Sequence, residues 1–101
     1  MSGAKHDDGK PDLSLVPRSA AVAIARALMF GANKYGRYNY CKGFENTRLA
    51  AACLRHLFAY LDGEDTDPES GLSHLDHALA TLSMMVHCEE LGTLVENRRP
   101  K

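Results

Sequence analysis

Apolar residues recur at helical spacing in three stretches of the chain, and the stretches between them are polar and broken by glycine and proline. The first stretch, AAVAIARALMFGAN, runs from Ala20 to about Asn33. It places Val22, Met29 and Ala32 on one line and Ile24 and Leu28 on another, with the Arg26 stem covering part of the apolar face. Pro17 followed by Ser19 predicts a helix start with Ser19 as N-cap. Gly31 inside this helix costs about 1 kcal/mol relative to alanine or marks close packing against another backbone.

A second helix is predicted from Arg48 to about Leu61, capped by Asn46 or Thr47. Leu49, Cys53, Leu57 and Tyr60 form one stripe, and Ala50, Leu54, Phe58 and Leu61 form another. It is apolar over most of its circumference, so it is expected to be central. Gly63 stands where a left-handed C-cap belongs. A third helix is predicted from about Ser73 to Leu91, with Gly92 as its stop, and Ser73 with Asp76 resembles a capping box. Leu75, Leu79, Leu82 and Val86 make its greasy stripe. His74, His77, Thr81, Met84 and Cys88 make a second stripe, polar at one end, which is expected to face a site.

The pattern predicts an all-α fold: a polar N-terminal arm (1–18), a helical domain (19–92) with three main helices, and a C-terminal tail (93–101). Such a short chain buries a modest core alone. Broad apolar faces on two helices add to that, and an oligomeric helix bundle, a dimer or tetramer of identical chains, is expected.

Charge narrows the function. The net charge of −1 argues against broad electrostatic binding to nucleic acid, which needs a clustered basic surface. Arg98, Arg99 and Lys101 form a short basic cluster that reads as a frayed tail. No apolar run reaches the roughly eighteen residues of a membrane span, and the polar N-terminus has no signal-peptide core. Cys41, Cys53 and Cys88 are odd in number and widely spaced, which fits a reducing cytoplasm and gives neither a disulfide framework nor a zinc ribbon. Cys53 and Cys88 fall in apolar helical contexts and read as core residues.

The chemistry gathers at the junction of the second and third helices, RHLFAYLDGEDTDPESGLSHLDH from Arg55 to His77. Glu64, Asp65, Asp67 and Glu69 crowd its loop. Glu64, Asp67 and Glu69 are hard oxygen donors suited to Mg²⁺ with substrate phosphates, and a solvated acidic loop has the same spacing. His74 and His77 share a helix face, so they could bind a transition metal together with His56 or the carboxylates, contact phosphate, or order the loop by hydrogen bonds. The loop KYGRYNYCKGFEN interleaves aromatics with Lys34, Arg37 and Lys42, a composition that can stack on a base and hold a phosphate, or plug the end of a bundle. Acyl-transfer and P-loop motifs are absent. The His-Asp doublet of an HD-type phosphohydrolase occurs only at His6-Asp7, in the arm.

Four segments in order, GKPDLSLVP, FGANKYGRYN, RHLFAYLDGEDTDPESG and HLDHA, carry a resemblance to the phage-type (MazZ-like) dATP/dGTP diphosphohydrolases, within the all-α MazG-like nucleotide pyrophosphohydrolases. The resemblance spans roughly residues 6 to 92 and implies hydrolysis of dGTP and dATP to monophosphate and pyrophosphate, shaping the nucleotide pool. It implies a divalent ion, Mg²⁺ or alternatively Mn²⁺, and the host cytoplasm for a phage-encoded chain. The superfamily's ExxE and ExxD ligand motifs have no clean counterpart here, so Glu64, Asp67 and Glu69 are expected to hold the metal and act in catalysis with His56. Lys10, Lys34, Arg55, His74 and His77 are expected at the phosphates, and Tyr35 and Asn39 at the nucleoside. The alternative is a non-catalytic helical nucleotide-sensing module, which would bind a nucleotide without consuming it.

Overall fold

The structure is a computed structural model, and it describes residues 8–100; His6, Asp7 and Lys101 lie outside that range, and with them the His-Asp doublet. Among the described residues there are three α-helices, α1 (Arg18–Tyr35), α2 (Asn46–Leu61) and α3 (His74–Leu91), and two short 3-10 turns, Leu13–Leu15 and Asn39–Lys42. The fold is all-α, as the periodicity predicts. No helix among the described residues is long and apolar enough to cross a membrane.

The helix starts differ from expectation in their chemistry. Helix α1 begins one residue before Ser19, behind Pro17, with no side-chain cap. Pro17 still serves, because its fixed φ enters a helix without strain. Asn46 and Thr47 lie inside α2, whose N-cap is Glu45 without a side-chain bond. The missing cap is supplied from the other end of the chain: Asn97 Oδ1 accepts from the Thr47 backbone N–H at 3.1 Å. Val95 N–H donates to Phe44 C=O and Asn46 N–H to Val95 C=O, closing a parallel bridge between Glu45 and Val95. The tail is therefore strapped down as far as Asn97. Ser73 does cap α3, accepting from Leu75 N–H at 3.1 Å. Asp76 does not complete a capping box; its carboxylate turns to Arg26 on α1.

Helix α3, not α2, is the central element, for it packs against both α1 and α2. Its buried line is His74, Ala78, Thr81 and Cys88, while Leu75, Leu82 and Val86 lie exposed. The residues at the core are small, which lets three backbones approach closely. On α2, Leu49 and Cys53 are buried, and Leu54, Phe58 and Leu61 are exposed. Cys53 and Cys88 thus sit in the core as expected.

Candidate functional site

Helix α2 ends at Leu61, and Gly63 at φ +96° turns the chain away while Glu64 N–H bonds back to Ala59 C=O. The loop that follows is organised by Asp67. Its N–H donates to Leu72 C=O and its carbonyl accepts from Gly71 N–H, both at 2.8 Å. Its Oδ1 accepts from Glu69 N–H at 3.0 Å. An antiparallel bridge between Thr66 and Ser73 and the bond from His74 N–H to Asp65 C=O close the loop. Dense acidic residues are thereby held in a fixed turn, and Asp67 Oδ2 is left facing inward, 3.5 Å from His77 Nε2.

Three imidazoles meet above this turn. His56 Nδ1 lies 2.9 Å from His74 Nδ1, and His74 Nε2 lies 2.7 Å from Glu64 Oε1. The His56 and His77 rings stack at 4.7 Å with 13° between planes, and Phe30 of α1 meets His77 edge-on at 5.9 Å. Ser70 Oγ lies 2.6 Å from His77 Nε2 and accepts from Leu72 N–H. Burial, then the neighbouring His77 and His74, push the His56 pKa below its ordinary value. His56 is therefore neutral at pH 7, with one ring nitrogen carrying a lone pair.

Of the acidic and imidazole donors, His56, Asp67 and His77 converge, with one ligand atom from each lying within 4.8 Å of the others. Glu64 instead bonds to His74, and Glu69 forms an ion pair with Lys34 from the end of α1. That pairing raises the Lys34 pKa, and the ammonium also lies 5.2 Å from the Tyr35 ring centre. Arg55 is exposed beside the cluster, and its charge is felt at His56. Lys10 stays in the exposed arm, with no hydrogen bond or ion pair to another described residue. Tyr35 and Asn39 line a cavity of about 680 Å³ together with Arg37, Tyr38 and Tyr40. Ala80, also on its wall, lies one helical turn beyond His77.

The sequence reading missed Ser70, Phe30 and the Arg26–Asp76 pair. Ser70 and Phe30 carry no spacing signal of their own. Asp76 has one, an acidic residue in the middle of the histidine-bearing turn, but the same position also suits a capping box.

The family described as dATP/dGTP diphosphohydrolase, N-terminal, matches residues 1–98. The chain belongs to this family. A dATP/dGTP diphosphohydrolase of Salmonella phage PMBT28 is 40% identical over 82 residues, which make up 81% of this chain and 28% of that protein. The chain thus spans little more than a quarter of the length of that relative. No solved structure matches it. In this chain the fold brings Asp67 of the acidic loop together with His56 of α2 and His77 of α3, and sets the Lys34–Glu69 pair on the α1 side.

Proposed function

We propose that the chain hydrolyses dGTP and dATP to the monophosphate and pyrophosphate, at the junction of α2 and α3. What carries this reading is the convergence of His56, Asp67 and His77 beside a lysine held at the edge of an aromatic-lined cavity, in a chain of this family. Water oxygen forms the new bond to the α phosphorus, the bond from that phosphorus to the bridging oxygen breaks, and pyrophosphate leaves with the electron pair. The water proton passes to the cluster. Lys34 and Arg55 neutralise phosphate charge. Tyr35 and Asn39 take the nucleoside in the cavity, where Tyr38 and Tyr40 add aromatic surface.

The reaction class calls for a divalent ion. The oxygen-only Mg²⁺ set of Glu64, Asp67 and Glu69 does not match the arrangement: Glu64 is engaged by His74, Glu69 by Lys34, and the donors that converge with Asp67 are imidazoles. Mg²⁺ prefers oxygen ligands in octahedral geometry. These residues do not fit a Mg²⁺ held by the protein alone.

The test is a panel of the four deoxynucleoside and four ribonucleoside triphosphates with Mg²⁺ and Mn²⁺, products separated by anion exchange. Monophosphate plus pyrophosphate, fastest with dGTP or dATP, is expected. Nucleoside plus triphosphate would replace the reading with an HD-type reaction. Nucleotide binding without turnover would favour the sensing module.

A further inference from the structure

We infer that His56, Asp67 and His77 form a binding site for a first-row transition-metal ion such as Mn²⁺, Co²⁺ or Zn²⁺, with His56 aimed by a Glu64–His74 relay. The role of the ion in turnover rests on the proposed hydrolysis; its binding does not.

The donor set comes first. Two imidazoles and one carboxylate are the ligands of many catalytic zinc and non-haem iron sites, in which open positions remain for water or substrate. Imidazole suits this class of ion, whereas carboxylate, carbonyl and water suit Mg²⁺. A metal about 2.1 Å from each donor needs donors about 3–3.4 Å apart. His77 Nε2 and Asp67 Oδ2 are already 3.5 Å apart and the full set lies within 4.8 Å, so closing the site takes ring rotations that draw His77 Nε2 off Ser70 Oγ, 2.6 Å away. The donors are half-buried, which leaves an entry path while removing most competing water.

The second observation is the hydrogen-bond chain behind His56. Glu64 carboxylate can only accept, so His74 carries its proton on Nε2, 2.7 Å away. Where His74 is neutral, its Nδ1 has a lone pair. The partner at 2.9 Å, His56 Nδ1, is then the donor. That leaves His56 Nε2 unprotonated and free to ligate. Metal-binding histidines characteristically donate their other ring N–H in this way, which fixes the tautomer and raises the basicity of the ligating nitrogen. Here the partner is a second imidazole backed by a carboxylate. His74 is nearly fully buried, so its ring is held in place. When bound, an ion of this class acts as a Lewis acid on phosphate oxygens. Asp67 is held for its task by three bonds to backbone groups that leave Oδ2 turned toward His77.

The experiment is titration of the EDTA-treated, dialysed protein with Co²⁺, followed by visible absorption without nucleotide. We expect one Co²⁺ per chain with ligand-field bands that Zn²⁺ displaces and millimolar Mg²⁺ does not. His56→Ala and His77→Ala each abolish the bands, Glu69→Gln leaves them unchanged, and Glu64→Gln weakens binding about 10- to 100-fold. Bands that survive both histidine substitutions, that Glu69→Gln removes, or that never form in the unsubstituted protein overturn the site; the last outcome leaves hydrogen-bonded histidines that only order the loop. Should the substituted chains fail to fold by circular dichroism, imidazole nitrogen NMR of the unsubstituted protein with Zn²⁺ decides. His56 Nε2 must shift on binding, and an unmoved His56 rejects the assignment. Co²⁺ binding without triphosphate turnover sinks the hydrolysis reading alone, whereas full turnover with Mg²⁺ in a protein that binds no Co²⁺ sinks the site alone.

Discussion

Arg26 and Asp76 join α1 to α3 through a forked contact, Arg26 Nε to Asp76 Oδ2 at 2.9 Å and Nη2 to Oδ1 at 3.4 Å. The two ends are unequal: the Asp76 side chain is 8% exposed and that of Arg26 is 50% exposed. The guanidinium can return to water and the carboxylate cannot. Arg26→Ala therefore strands a buried charge and should destabilise the protein by about 2 kcal/mol. Asp76→Ala should cost less, because only a half-solvated arginine is released. Urea melts of the two variants check the order, and equal losses would show that the burial asymmetry is energetically silent.

Lys34 is held by Glu69 at the edge of the site, beside Tyr35 on the cavity wall. A triphosphate entering there offers the ammonium a stronger partner than one carboxylate. Lys34→Ala should raise KM for dGTP about tenfold, the equivalent of one lost charge-assisted contact of roughly 1.4 kcal/mol. The kcat should change little, because the contact is made in ground and transition states alike. Steady-state kinetics decide; an unchanged KM would remove Lys34 from the substrate path.

Gly43 sits at φ +107°, and a Cβ there would meet Thr93 C=O at 2.9 Å. The contact is backbone against backbone, so neither side yields cheaply. It lies where the strapped tail crosses the start of α2. Gly43→Ala should cost about 2 kcal/mol by combining clash with an unfavourable φ. A thermal melt tests this, and a neutral result would mean that the strap shifts freely.

Glu96 accepts from the Arg98 side chain and then from its backbone N–H, which lowers its carboxyl from 4.5 to about 2. Because the folded value lies below the unfolded one, the contact stabilises the tail above about pH 4.5 and is lost as pH falls through about 2. Exposure to solvent keeps the effect small. Carboxyl-resolved NMR titration should find the low value and see it return toward 4.5 in Arg98→Ala. A normal Glu96 titration in the unsubstituted chain would show that the pair does not persist in solution.

The helices were legible because alternating apolar lines at helical spacing need no tertiary information, and Gly92 and Ser73 mark their ends by local chemistry alone. Which line faces inward was not legible. Leu75, Leu82 and Val86 look like a core stripe, yet the three-helix packing takes the smaller line through Ala78, Thr81 and Cys88. Close approach of backbones, not hydrophobicity, decides that choice. The caps of α2 escaped notice because Asn97 supplies one from the far end of the chain. At the site, spacing put His74 and His77 on one face, and both rings meet His56. It could not say which carboxylate turns inward. That depends on how Asp67 spends its backbone bonds, while Glu64 and Glu69 are claimed by His74 and Lys34.

The Asp67 turn has a further consequence. His56, Asp67 and His77 all come from one helix–loop–helix hairpin, so their meeting requires closure of a single short loop. The entropy of that closure is small, and the contacts are local in the chain. Lys34 and Phe30 reach the same place from α1, across a longer separation. The cluster is thus an autonomous piece of topology: its geometry is set by the hairpin, while α1 adds the rim.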